Sequence, residues 1–171
     1  MSPEMDVFEA IYSLRAMRRL KPDPVPDKVV ARVLEAAIQA PSSVNRQPWR
    51  FLVIRDRALK EKIAEYYLEA WNHTYGASAT QGQSLDPATL RVLRSADYLA
   101  RHMADAPLLV LVCLLGRPPA DPIRASSRYG SVYPAVQNLM LTARALGLGT
   151  TLTTVYKRYD GEIKELLGIP E

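Results

Sequence analysis

Three short segments hold most of the side chains suited to gripping or orienting a reactive group. The first is Arg15-Ala16-Met17-Arg18-Arg19. Guanidiniums this close together can hold a phosphate through bidentate, charge-assisted hydrogen bonds. The plainer alternative is that these cations complement the end of a preceding helix and stay solvated. The second segment is Ala40-Pro41-Ser42-Ser43-Val44-Asn45-Arg46-Gln47-Pro48-Trp49. Its short hydroxyl and amide side chains, between two prolines, form a rigid loop of donors and acceptors that can read the polar edge of a heterocycle. Ser, Asn and Pro are also ordinary turn residues. The third is Gly147-Leu148-Gly149-Thr150-Thr151-Leu152-Thr153-Thr154. Its glycines let backbone approach a flat ring, and its threonines add hydroxyls beside exposed amides. A helix C-cap running into a β-branched strand explains the same letters.

What is missing narrows the chemistry. The two histidines, His73 and His102, have no Cys, His or carboxylate at metal-ligand spacing. There is no nucleophile elbow, P-loop or GxGxxG fingerprint. Cys113 is the single cysteine, inside an apolar run, and reads as a small core hydrophobe in a reduced, cytoplasmic protein. An enzyme built this way borrows its reactivity from an organic cofactor.

The elements that must position these segments follow from periodicity. Val7, Ala10, Ile11 and Leu14 predict a first helix from Glu4 to Arg18, which puts the arginines at its C-terminal end. After the Pro22, Pro24 and Pro26 link, Asp27 is the expected N-cap of a second helix with the face Val30, Val33, Leu34, Ala37 and Ile38. Trp49 to Arg55 reads as a strand, Ala58 to Trp71 as a helix, Asn72 to Leu85 as a polar stretch, and Pro87 to Met103 as a helix. Pro107 to Leu115 is expected as a central strand buried on both faces. Val132 to Leu146 forms the clearest helix, stopped by Gly147; a threonine-rich strand, Thr150 to Val155, and a short helix, Gly161 to Leu167, follow. Few strands among many helices predict an α+β or mixed three-layer domain covering residues 1–171.

At 48% hydrophobic and 23% charged, the chain can bury a real core. No apolar run approaches the roughly 18 residues of a membrane span, and the start lacks the order of a signal peptide. The net charge of +4 gathers around Arg15, Arg18, Arg19, Lys21, Lys28 and Arg32, without the interleaved aromatics of a single-strand nucleic-acid surface. A compact anion site fits better than nucleic acid.

Taken together, Arg-Ala-Met-Arg-Arg-Leu-Lys-Pro-Asp-Pro-Val-Pro, Ala-Pro-Ser-Ser-Val-Asn-Arg-Gln-Pro-Trp-Arg-Phe and Ala-Val-Gln-Asn-Leu-Met-Leu-Thr-Ala-Arg-Ala-Leu-Gly-Leu-Gly-Thr-Thr resemble the FMN-dependent nitroreductase superfamily, from about Ser13 to the chain end. The resemblance implies a three-layer fold with a central mixed sheet flanked by helices, and a homodimer with FMN at its interface. It implies a ping-pong transfer from NADH or NADPH to a small electron-poor acceptor such as a nitroaromatic or quinone. By motif position, Arg15 and Arg19, with Arg18 as neighbour, would hold the phosphate and ribityl tail. Pro41, Ser42, Ser43, Asn45 and Gln47 would lie along the cofactor, and Gly149, Thr153 and Thr154 would meet its ring. Apart from the resemblance, the stretch Asn72 to Leu85 reads either as a solvated connection or as a cover over the flavin face, with Trp71 or Tyr75 stacking on the substrate.

Two departures stand out. Ala16 and Met17 occupy the place of the motif's usual serine, and Leu20 that of its aromatic. The family's last strand and C-terminal arm, which bring a late Arg or Lys to the phosphate, would follow the short helix, whereas this sequence ends at Ile169-Pro170-Glu171. Two other readings stay open: a dehalogenating or flavin-consuming relative on the same scaffold, and a non-enzymatic basic binding protein.

Overall fold

The computed structural model describes residues 5–76, 85–117 and 119–170. Their backbone contacts divide into two compact units, each with its own core.

The first unit comprises the described parts of Met1–Ala16, Pro24–Val53 and Val110–Thr151. Helix α1 (Val7–Ser13) starts where the Asp6 carboxylate accepts from the Phe8 and Glu9 amides, satisfying two donors that the first turn leaves without a helical partner. It ends at Ser13, well short of the expected Arg18. The Ser13 hydroxyl donates back to the Glu9 carbonyl at 2.6 Å, Leu14 turns extended, and Ala16 pairs with Thr150 in a parallel bridge. Tertiary pairing has overridden local propensity. Helix α2 (Asp27–Ala37) follows the proline link. Asp27 is its first residue, not its cap: the Pro26 carbonyl accepts the first helical bonds, and the Asp27 charge sits in the first turn instead.

Strands β1 (Trp49–Ile54) and β2 (Leu109–Leu114) form a two-stranded sheet. The Leu115 amide donates to the Pro48 carbonyl at 2.7 Å, so the end of β2 meets the start of β1 and the pair is antiparallel. All six β2 residues are half-buried, not enclosed on both faces as their apolar run suggests. The long helix of this unit (Pro122–Ala145) starts ten residues before the expected Val132, at the Asp121 cap with Pro122 at its first position. Gly130 and Pro134 argue locally against a helix. The proline ring opposes the carbonyl four residues back, which is that of Gly130, and a β-carbon built on that glycine would meet nothing within 4 Å outside the helix's own backbone. The core is made where Val33 and Ala37 of α2 meet Leu139 and Ala143 of the long helix, and where Trp49 meets Ala40 and Ala135.

The second unit comprises Met17–Asp23, Ile54–Leu109 and the described part of Leu152–Glu171. Helix α3 (Arg57–Trp71), capped by Asp56, ends in a π-helical turn, Asn72–Gly76; the rest of the expected polar stretch, 77–84, lies outside the described residues. Helix α4 (Pro87–His102) is capped by Asp86 and helix α6 (Asp160–Leu166) closes the unit, so the long helix between them is α5. Tyr67, Trp71, Leu99, Ala100 and Met103 form the core, with Val155 and Tyr156 against them. The expected strand Thr150 to Val155 is not formed. Only Thr150 finds a partner, in Ala16, and from Val155 to Tyr159 the chain tightens into a 3-10 turn. Threonine's β propensity is a matter of cross-strand neighbours, and residues 151–154 have none in a ladder.

Candidate functional site

In the first unit, the Ala16–Thr150 bridge brings the arginine segment beside the Gly147–Thr150 turn. Gly147 sits at φ 79°, with its amide on the Arg144 carbonyl and that of Leu148 on Ala143. This is a Schellman closure of α5, which only a residue free of a β-carbon adopts without strain. Two residues beyond Leu148, Thr150 pairs with Ala16 in the bridge. The Thr150 hydroxyl oxygen is fully buried, with no hydrogen-bond partner among the described residues. An orphaned buried hydroxyl costs about 1–3 kcal/mol, and such a group marks a place where a polar ligand fits. Arg15, next to the bridge, is exposed; its Nη1 donates to the Tyr12 and Leu14 carbonyls at 2.9 and 2.6 Å. It thus caps the α1 carbonyls with one of its three nitrogens.

The serine loop belongs to the same unit. Val44, Asn45 and Gln47 have φ of 51°, 53° and 47°, so three non-glycine residues within four positions are left-handed. A residue with a β-carbon costs about 1–2 kcal/mol there, asparagine least, and a β-branched one is the outlier. The loop keeps this shape because it is pinned. The Ser43 amide donates to the buried Ser131 hydroxyl at 3.1 Å, Ser131 donates on to Ser127, and the Gln47 amide donates to the Ser42 hydroxyl at 2.9 Å. Backbone strain held by surrounding structure concentrates at functional sites. Ser43, Val44, Asn45 and Gln47 are exposed, Pro41 is exposed and Ser42 half-buried, so the loop presents its polar groups outward.

In the second unit, Arg19 lies 3.9 Å over the Tyr98 ring, which stacks on His102 on its helix, and His102 pairs with Asp105 at 3.1 Å. Thr153 is bound to Tyr67, whose phenol oxygen lies 2.9 Å from the threonine hydroxyl. Burial holds the Tyr67 phenol above the ordinary tyrosine range, while the Thr153 bond and the nearby Arg18 charge pull it down without prevailing. Thr154 is exposed at the start of the 3-10 turn. Trp71 is a core residue, 3% exposed, with its indole N–H donating to Asp97 at 3.0 Å. Tyr75 covers it at 5.0 Å and is itself 40% exposed, so Tyr75, not Trp71, is the aromatic with an open face. Arg101 and Trp71 together hold the Asp97 carboxyl below its usual range, the arginine contributing most, against partial burial.

Sequence reasoning picked out both arginine neighbours, the loop and the threonines, but not Tyr67, Tyr98 or Ser131. Tyr67 stands four residues from Ile63 and from Trp71 on one helical face and reads there as plain core. Which hydroxyl it meets is a long-range fact, 86 residues away along the chain.

Residues 11–171 match the model of the Nitroreductase family. A Methanothermobacter thermautotrophicus protein carrying the provisional name NADH dehydrogenase/NAD(P)H nitroreductase is 33% identical over 174 residues, covering 98% of this chain and 72% of that one. Among solved structures, an oxidised iodotyrosine deiodinase bound to FMN and 3-iodo-L-tyrosine superposes with a TM-score of 0.74 at 26% identity, over 97% of this chain and 83% of that one. A nitroreductase with bound FMN from Desulfitobacterium hafniense DCB-2 shares the fold, with a TM-score of 0.70 at 23% identity, over 100% and 84% of the two chains.

Proposed function

The chain belongs to the nitroreductase family, and from that premise we propose that it binds FMN and carries reducing equivalents from NADH or NADPH to a small electron-poor acceptor, a nitroaromatic or quinone. The observation that carries this reading is the bridge between Ala16 and Thr150. It joins two of the three cofactor-like segments and leaves a buried threonine hydroxyl with no hydrogen-bond partner among the described residues. That donor set suits a phosphorylated, hydrogen-bonding ring system.

When bound, FMN supplies the two-electron chemistry. The chain's own residues bind and orient. Arg15, Arg18 and Arg19 would neutralise the phosphate, and Arg15 would trade helix-capping carbonyls for phosphate oxygens, a stronger charge-assisted partner. Pro41, Ser42, Ser43, Asn45 and Gln47 would line the ribityl and ring edges, held in place before binding by the Ser131 anchor. Gly149, Thr153 and Thr154 would meet the ring. Tyr75 would offer its open face to the acceptor, with Trp71 as its backing.

A homodimer belongs to the same reading. Phe8 is 65% and Tyr12 73% exposed on α1, stacked on each other at 6.4 Å, and Val7 and Ile11 extend the same apolar helix. Apolar surface of this kind marks an interface. Light scattering should give twice the chain mass; a monomer that holds FMN stoichiometrically overturns the dimer.

A second reading, reductive dehalogenation of a halophenol, is favoured by the likeness to the deiodinase that binds 3-iodo-L-tyrosine. One experiment serves both. The purified protein should be yellow, and anaerobic titration with NADH and NADPH should bleach it. Reoxidation by a nitroaromatic, a quinone or 3-iodotyrosine then separates the acceptors. A colourless protein that takes up no added FMN overturns the proposal.

A further inference from the structure

Tyr67 has no part in the binding scheme above, yet its geometry is that of a second layer behind Thr153. It is 2% exposed in the middle of α3, surrounded by the apolar side chains of its unit. Its one polar atom lies 2.9 Å from the Thr153 hydroxyl oxygen. A buried phenol needs a partner, and here that partner is a residue whose other face is half open.

The proton count makes the pairing directional. A phenol has one O–H to donate, and a threonine hydroxyl has one as well. If Tyr67 donates, the Thr153 oxygen is satisfied as an acceptor and its own O–H must point elsewhere. The surroundings favour that direction: Tyr67 sits among apolar side chains, and the Thr153 hydroxyl is the one acceptor its O–H meets among the described residues. Chains of hydrogen bonds also strengthen one another in a low-dielectric interior.

We propose that Tyr67 is a positioning residue that fixes Thr153 as a hydrogen-bond donor toward the bound flavin ring. The assignment rests on the reading of Thr153 as a ring-contacting residue. A donor aimed at the ring stabilises whichever redox state carries more negative charge there, so the pair should raise the flavin's reduction potential.

The test uses the flavin-loaded protein and four variants: Tyr67→Phe, which removes only the hydroxyl, Thr153→Val, Thr153→Ser and the Tyr67→Phe/Thr153→Val double. The readouts are the two-electron midpoint potential, measured against reference dyes, and FMN affinity by fluorescence. Thr153→Val should lower the preference for reduced over oxidised flavin by about tenfold, which is about 30 mV for two electrons. Tyr67→Phe should move it in the same direction by about three- to tenfold, and the double variant should go no further than Thr153→Val alone. Thr153→Ser should keep the wild-type potential and remain sensitive to Tyr67→Phe. A potential unmoved by Tyr67→Phe while Thr153→Val shifts it, or full additivity in the double, overturns the role of Tyr67 and leaves the Thr153 reading standing. A potential unmoved by Thr153→Val overturns both, and wild-type protein that binds no FMN overturns the flavin reading itself. Should Tyr67→Phe fail to fold, a Thr153→Ser protein whose potential matches Thr153→Val overturns the hydroxyl's role without it.

Discussion

Replacing Val44 tests whether the serine loop is held in a strained shape, independently of any cofactor. Val44 lies at φ 51° and is 82% exposed. Fully burying a valine is worth about 1.5–3 kcal/mol, and only about a fifth of its surface is covered, so trimming it loses about 0.3–0.5 kcal/mol. The left-handed conformation costs a β-branched residue about 1–2 kcal/mol, whereas asparagine adopts it with little penalty. Val44→Asn should therefore stabilise the protein by about 1 kcal/mol, or about 2–4 °C in Tm for a domain of this size. Val44→Ala removes the same contacts but lacks the short polar side chain by which asparagine bonds its own backbone in this conformation, so it should be neutral or slightly destabilising. The difference between the two variants isolates the backbone contribution, and differential scanning calorimetry of the flavin-free protein measures it. Equal Tm values for Val44→Asn and Val44→Ala would refute the argument, because the backbone would then be shown to carry no strain.

The double substitution Arg15→Ala/Arg19→Ala should lose most bound FMN while the chain remains folded, each phosphate contact being worth about 1.5–3 kcal/mol; flavin absorbance per mole of protein reads it out. Lys60, 6% exposed with its ammonium donating to the Ala106 carbonyl at 2.6 Å, should be intolerant of Lys60→Met, which leaves that carbonyl unpaired at about 1–3 kcal/mol, seen as a lower urea midpoint. For Asp97 the folded carboxyl is depressed below its unfolded value near 3.9, so its contribution is present above that pH and lost as pH falls through the folded value. Asp97→Asn should flatten that part of the acid-stability curve between about pH 4 and lower, measured as Tm against pH.

What the sequence made legible, and what it did not, divides along the range of the forces involved. Gly147 ends α5 and Trp49 is buried as its position suggests, because each depends on neighbours a few residues away. The end of α1 was misplaced because Ala16 answers to Thr150, far along the chain, and not to its own turn. The start of α5 lies ten residues before the expected Val132, because the apolar face that marks a helix begins there while the first turns are set by the Asp121 cap and Pro122. At the candidate site the chemistry-bearing residues were visible as types, while their supports were not. Ser131 reaches Ser43 across 88 positions, and Tyr98 lies under Arg19 through packing that no local pattern records.

Helix α5 is 24 residues long, and within its unit four separate stretches of chain are tied to it. Arg128 donates to the Leu115, Gly116 and Arg117 carbonyls, Ser131 accepts from Ser43, Asn138 reaches the Ala36 carbonyl and Arg144 donates to Ser13. From Arg128 to Arg144 is about 24 Å of rigid rod. The helix therefore works as a common ruler: errors in the placement of the four stretches are correlated, because all are measured from the same edge. One residue inserted between Ser131 and Asn138 would turn the marks on one side of it by about 100° relative to those on the other. One inserted in a surface loop would move only its neighbours. Such a chain can change the length and wording of its loops freely over evolutionary time, but must keep the count of residues along α5 to the unit.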